Sequence, residues 1–168
     1  MCIKYFTVYA FSTENLNLPQ DEVEALMKLL RNYMKTCLKT AKKNDMKIRV
    51  IGDLRRLDED IRTRIAELEE ATKDNGGLNF QIAINYGSRD EIVRAVRRLA
   101  EDCAAGRIKT ERIDAQLFEK YLDTEGIPDP DLMIRTSGEL RPSNFLLWQL
   151  AYTEFYFTAV LWPALSKA

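Results

Sequence analysis

Between Arg135 and Asn144 the chain sets two guanidinium groups, Arg135 and Arg141, among the hydroxyls of Thr136, Ser137 and Ser143. Gly138 allows close backbone approach, and Glu139 lies between the two arginines. Planar guanidinium forks match phosphate oxygens two at a time. A glycine and a hydroxyl near a helix start also suit an anion. The stretch therefore points to a phosphate-like ligand. With equal weight, the two arginines can be solvated or paired with Asp131 and Glu139, a common fate of loop arginines. Glu154 is a second candidate, a lone acid among Tyr152, Phe155, Tyr156 and Phe157. Its neighbours alone make it a partly exposed carboxylate.

These groups need elements to hold them. Leu132-Met133-Ile134 reads as a buried strand delivering the polar turn, and Phe145-Leu146-Leu147-Trp148 as the start of an apolar helix after it. Upstream, Ile3 to Ala10 is rich in β-formers and near-continuously apolar, which predicts a strand buried on both faces. Pro19, Asp21 and Glu22 mark a helix start. Val23, Leu26, Met27, Leu30, Met34, Cys37, Leu38 and Ala41 follow at helical steps, predicting an amphipathic helix of about six turns. A strand is expected over Lys47 to Ile51, a helix over Asp58 to Thr72 and a third strand over Leu78 to Ile84. Ser88 is placed to cap a helix carrying Ile92, Val93, Val96, Leu99 and Cys103, which Gly106 ends. A shorter helix is expected over Thr110 to Leu122. Strands alternating with helices predict an α/β fold, a mostly parallel sheet with helices on both faces. Exit loops of parallel strands gather at one sheet edge, so FSTEN, NYGSR and RTSGELRPS are expected to converge.

At 168 residues, 46% of them hydrophobic, the chain fits one domain with a real core. Its 25 basic and 26 acidic residues leave no basic surplus for nucleic acid. Histidine is absent, which excludes Ser-His-Asp and Cys-His nucleophiles and HExxH zinc chemistry in these residues. Neither GxxxxGK[ST] nor GxGxxG occurs. The three cysteines, Cys2, Cys37 and Cys103, are scattered, so neither a disulfide framework nor a zinc ribbon is supported and a reducing cytoplasm fits. No apolar run nears the ~20 residues that span a bilayer, and Met1 leads almost directly into a strand rather than a signal peptide.

Three collinear blocks then carry a resemblance: FSTEN (Phe11 to Asn15), NYGSRDEI (Asn85 to Ile92) and RTSGELRPSNFLLWQLAYTEFYFTAVLWP (Arg135 to Pro163). They resemble the signatures of the cis-prenyltransferases, the undecaprenyl diphosphate synthase family, over nearly the whole chain. The resemblance implies an undecaprenyl diphosphate synthase-like sheet and condensation of isopentenyl diphosphate onto an allylic prenyl diphosphate with cis stereochemistry. It implies Mg2+ as cofactor, a homodimer fed by Phe155 to Phe157 with Val160, Leu161 and Trp162, and peripheral membrane contact through a lipid product. Arg135, Arg141 and Ser143 match the positions that grip the isopentenyl diphosphate, and Glu154 the carboxylate that helps hold Mg2+. Ser12 and Asn15 match residues acting near the condensing carbons. Phe11, Tyr86 and Arg89 are weaker substrate-binding candidates. The long helix after FSTEN would wall a tunnel for the growing chain, with Leu78 or Phe80 limiting product length.

The chain also departs from the pattern. The family opens with a strand ending in an Asp-Gly-Asn-Gly-Arg type segment, then a histidine on the next helix; these residues contain neither. Leu16 stands where Trp is usual and Leu18 where Arg is expected, and LWPALSKA carries no further tail. The expectation is a single truncated domain, 1–168, lacking the first strand and the C-terminal tail, with elongation impaired and sheet surface bared beside Ile3 to Ala10. A reading from another class is a non-catalytic partner subunit of a prenyltransferase complex. The RTSGELRPS clamp argues against it, since a scaffold needs none.

Overall fold

The structure is a computed structural model that describes residues 3–17 and 19–164. The chain divides into two compact units, Met1–Tyr86 and Gly87–Ala168.

The first unit is a three-stranded parallel sheet of β1 (Tyr5–Ser12), β2 (Lys47–Ile51) and β3 (Asn79–Tyr86), in the order β1-β3-β2. Central β3 is buried from Phe80 to Tyr86. β1 is an edge of this sheet, and Tyr5 and Phe6 are 41% and 38% exposed. Consecutive side chains point to opposite faces, so neither face is covered at the start of β1 and the strand is not buried on both faces as its apolarity predicts. Near its end the register with β3 skips Ala10, so that Phe11 sits opposite Ile84. An extra residue in a strand transfers the subsequent side chains to the other face. Phe11 thereby joins the cluster that holds Val8, Ile82 and Ile84.

Helix α1 (Gln20–Lys43) begins after Pro19 and buries Met27, Leu30, Met34, Cys37 and Ala41, the expected stripe at alternating steps of three and four. Helix α2 (Glu59–Thr72) contributes Ile61, Ile65 and Leu68 to the same cluster, against Ile48, Val50, Phe80, Ile82 and Ile84 of the sheet. Each such side chain stabilises by about 1.5–3 kcal/mol when removed from water. Two side chains of α2 also protect the outer edge of β2. Ile48 N donates to Thr72 Oγ1 (3.1 Å), and Val50 N donates to Glu69 Oε1 (2.7 Å). An edge strand whose free amides are occupied cannot recruit another strand.

The second unit holds α3 (Ser88–Ala104), α4 (Ala115–Glu119), β4 (Leu132–Arg135) and β5 (Glu154–Phe157). Ala95 and Leu99 of α3 pack with Phe118 and Leu122, with Trp148 against them. Arg94 donates to both Asp123 oxygens (2.9 and 2.7 Å) and to Asp90, tying α3 to the turn after α4. Three local expectations fail here. Ser88 is not the cap of α3; Gly87 is, and Ser88 opens the helix. The Thr110 to Leu122 helix is broken, because Asp114 accepts from Leu117 N (2.7 Å) and starts a new helix there, leaving Thr110–Arg112 as a 3-10 turn. Phe145 to Tyr152 forms successive turns rather than a helix, and Glu154–Phe157 is a strand. Ser143, Asn144 and Leu146 all have positive φ (47°, 60° and 46°), which a right-handed helix start cannot use. The aromatic run favours a strand, and β5 pairs parallel with β4.

Two outcomes test this packing. Gly52 has φ 124°, and a Cβ there would lie 2.0 Å from the Ile84 carbonyl oxygen, whereas Gly106 (φ 70°) faces nothing within 4 Å. Gly52→Ala is expected to destabilise by more than about 2 kcal/mol and Gly106→Ala by about 1 kcal/mol in urea unfolding. Burial pushes the Glu69 carboxyl up, against the opposing pull of the Val50 N–H and Arg49. A raised folded pKa means that the protonated form stabilises the fold below the ordinary value of about 4.3, and that this contribution is lost as pH rises through the folded value. Urea midpoints across that window should therefore fall with rising pH more steeply in the parent than in Glu69→Gln; parallel profiles would contradict this.

Candidate functional site

Arg135 ends β4, and the chain then leaves the sheet in a loop whose backbone is unusual. Ser137, Gly138, Ser143, Asn144 and Leu146 all adopt positive φ. Non-glycine residues persist in that region when their surroundings over-determine them. One side of the loop is held by the segment after β5: Ser137 N donates to Val160 O (3.0 Å), Gly138 N to Thr158 O (2.9 Å), and Thr158 N to Arg135 O (2.9 Å). The other side is held by the start of α3: Ser88 N donates to Asn144 O (2.7 Å), Arg89 N to Asn144 Oδ1 (2.9 Å), and Leu147 N to Ser88 Oγ (2.9 Å).

Within this loop the two guanidiniums meet on one atom. Arg141 Nη1 lies 2.8 Å and Arg135 Nη2 4.0 Å from Glu139 Oε2. The Arg141 side chain is 71% exposed and Glu139 40%. An ion pair this open is worth at most about 1 kcal/mol. A ligand with several phosphate oxygens can therefore displace the carboxylate and take both forks. Arg135, at 24% exposure, has less freedom to turn away. Ser143 is half-buried in the same loop.

Glu154 is elsewhere. In the parallel pairing of β4 with β5, Glu154 is opposite Leu132 and Arg135 is opposite Phe157. Three residues of strand put about 10 Å between the two ends. Glu154 and Arg135 thus sit at opposite ends of the β4–β5 pair. Glu154, the first residue of β5, donates its N–H to Asp131 O (3.0 Å). Its carboxylate is exposed and has no ion pair or side-chain hydrogen bond among the described residues. No group of three or more His, Cys, Asp or Glu among the described residues could hold a metal. A hard cation that takes one or two carboxylates and keeps several waters does not require such a group.

The remaining candidates lie in the first unit, apart from Arg89. Asn15 Oδ1 accepts from both Ser12 N (2.8 Å) and Ser12 Oγ (2.9 Å), which closes the FSTEN turn on itself. The Asn15 amide NH2 then remains as a donor and the Ser12 oxygen as an acceptor. Phe11 is buried in the core, and Tyr86 is 0% exposed, its carbonyl accepting from Tyr9 OH (2.9 Å) and its ring edge-on to Tyr9. Arg89 is exposed in the first turn of α3. Phe80 lines a small cavity of about 90 Å³ with Tyr33, Cys37, Ala41, Met46 and Ile48, and Leu78 is half-buried against the same core. Burial pushes the Tyr33 phenol up to about 12 and the Cys37 thiol upward, so this wall is uncharged at neutral pH. Leu18, Cys2 and the terminal Leu165 to Ala168 lie outside the described residues, as does the side chain of Leu16.

Sequence reasoning missed Asn144 and Ser88 as loop anchors. It also missed Glu91, fully buried, whose Oε1 accepts from Asp123 N (2.8 Å) and whose carboxylate takes Gln149 Nε2. The available signal at Asn144 was the tolerance of Asn for left-handed backbone.

The comparisons with known proteins bear on the family and the fold. A family model described as "Putative undecaprenyl diphosphate synthase" matches residues 1–168. An isoprenyl transferase of Clostridium perfringens is 48% identical over 161 residues, which are 96% of this chain and 64% of that protein. One from Brucella suis is 52% identical over 159 residues, 95% of this chain and 63% of the relative. The chain thus spans somewhat under two thirds of the length of these relatives. The crystal structure of lavandulyl diphosphate synthase from Lavandula x intermedia, in complex with dimethylallyl diphosphate, superposes with a TM-score of 0.93 at 38% identity, covering 98% of this chain and 72% of that one. A probable undecaprenyl diphosphate synthase from Campylobacter jejuni gives 0.86 at 38% identity, covering 97% and 74%. The α/β fold with parallel strands flanked by helices is theirs, and the chain belongs to the undecaprenyl diphosphate synthase family of cis-prenyltransferases.

Proposed function

We propose that this chain serves cis-prenyl transfer, taking isopentenyl diphosphate for condensation onto an allylic prenyl diphosphate. The observation that carries this is the pair of guanidiniums meeting on one exposed carboxylate in a loop pinned at both ends. Arg135 and Arg141 exchange Glu139 for the diphosphate, and Ser143 adds a hydroxyl donor. Ser12 and Asn15 act near the condensing carbons, with Phe11, Tyr86 and Arg89 as lesser contributors to the substrate site. A new carbon–carbon bond forms as the allylic carbon–oxygen bond breaks and releases diphosphate, and the isopentenyl unit gives up a proton to water. What the protein supplies is position and a preorganised positive field. The uncharged wall at Phe80 suits a prenyl tail, with about 0.8 kcal/mol for each buried methylene.

Mg2+ enters this reading through Glu154. An exposed carboxylate without a protein partner suits a hard cation that keeps part of its water. When bound, the ion neutralises phosphate charge.

A homodimer also belongs to the proposal. Phe155, Tyr156, Val160, Leu161 and Trp162 are 42–62% exposed, an apolar surface of the kind that marks an interaction site. No helix among the described residues is long and apolar enough to cross a membrane, and we place the chain in the cytoplasm with peripheral contact through its lipid product.

Titration calorimetry tests the clamp directly. The chain is expected to bind isopentenyl diphosphate more tightly than isopentenyl monophosphate. The double variant Arg135→Ala with Arg141→Ala should weaken diphosphate binding at least about 30-fold, since hydrogen bonds to charged groups contribute about 1.5–3 kcal/mol each. Equal affinity in parent and double variant would refute the assignment. For the dimer, Leu161→Lys is expected to shift sedimentation from a dimeric to a monomeric mass, and an unchanged profile would exclude this surface.

A further inference from the structure

We infer that Asn144 is a positioning residue for the diphosphate clamp, acting by capping α3 from 55 residues away; this rests on the reading of Arg135, Arg141 and Ser143 proposed above. The first amides of a helix have no partner inside it. Gly87, the capping residue of α3, has no side chain to offer them. Asn144 supplies two acceptors in its place: its carbonyl takes Ser88 N (2.7 Å), and Oδ1 takes Arg89 N (2.9 Å). Ser88 Oγ then accepts from Leu147 N (2.9 Å), so the turn is held on both sides of Phe145.

Ser143 and Asn144 are consecutive non-glycine residues at positive φ (47° and 60°). Such a pair holds where its surroundings over-determine it, and here the capping bonds fix the peptide that follows Asn144 and the Asn144 side chain. They present the Ser143 hydroxyl at a set place and join it to Arg89, otherwise 54 residues distant in sequence. Asn meets both demands here, tolerance of the left-handed backbone and a short side-chain acceptor. Glycine would meet only the first, whereas Asp meets both and suits a helix amino terminus electrostatically.

The test is the dissociation constant for isopentenyl diphosphate, measured by calorimetry well below each variant's Tm. Asn144→Gly is expected to bind at least fivefold more weakly, while Asn144→Asp stays within about threefold of the parent. Leu99→Ala, a core truncation in the same unit, should lower Tm and leave the dissociation constant unchanged. Parent-like binding by Asn144→Gly overturns the inference, and so does an equal loss of affinity in Leu99→Ala, which would make the effect one of general destabilisation. If Asn144→Gly does not fold, Ser88→Ala reports instead: weaker binding supports the inference and parent-like binding overturns it. Failure of the parent itself to bind removes the clamp reading and this inference together.

Discussion

Two like charges are held near one another in the loop after β4, and the rest of the second unit is arranged to tolerate that. Arg135 and Arg141 repel in isolation, and Glu139 between them relieves the repulsion through a single oxygen. The neutralisation is shallow, because the acid and one of the arginines face water. A buried carboxylate in the same place would hold the arginines permanently and leave nothing for a ligand to gain. The loop meets the opposite requirement, a rigid path. Its left-handed residues are fixed by hydrogen bonds to Thr158 and Val160 on one side and to Ser88 and Arg89 on the other. Weak pairing on a stiff frame is the combination that lets an anion exchange in without reorganising the protein.

The first unit is built on apolar packing instead. Its core is assembled from the stripe of α1, the inner side of α2 and alternate residues of β2 and β3. A register skip at Ala10 turns Phe11 inward just where β1 ends, so that the FSTEN turn emerges from an anchored ring. Asn15 then folds back on Ser12. Polar groups of α2 occupy the outward amides of β2, making that edge unavailable to another strand.

Much of this was legible in the sequence wherever one local signal dominated. Lys47–Ile51, Glu59–Thr72 and the long stripe of α1 emerge almost as their periodicity predicts. That Arg135 and Arg141 belong to one polar turn was also readable, although six extended residues could span roughly 20 Å and their meeting on Glu139 needed the fold. What failed had a competing local interaction or needed knowledge of the pairing. Asp114 captured Leu117 N and broke a helix that apolar spacing alone would have continued. Positive φ at Ser143 and Leu146 has no local signal, and at Asn144 only the tolerance of Asn hints at it; together they converted an expected helix into turns and a strand. That strand pairing in turn placed Glu154 at the end away from Arg135. The caps of α3 come from Asn144, and no local pattern around Ser88 could have announced them.

The most direct measurement is a crystal structure of the chain with isopentenyl diphosphate or inorganic diphosphate bound. The account predicts phosphate oxygens within hydrogen-bond distance of both guanidiniums and of Ser143 Oγ, with Glu139 displaced from Arg141 and the backbone from Ser137 to Leu146 unmoved. A diphosphate bound elsewhere while Arg141 still holds Glu139 would contradict it.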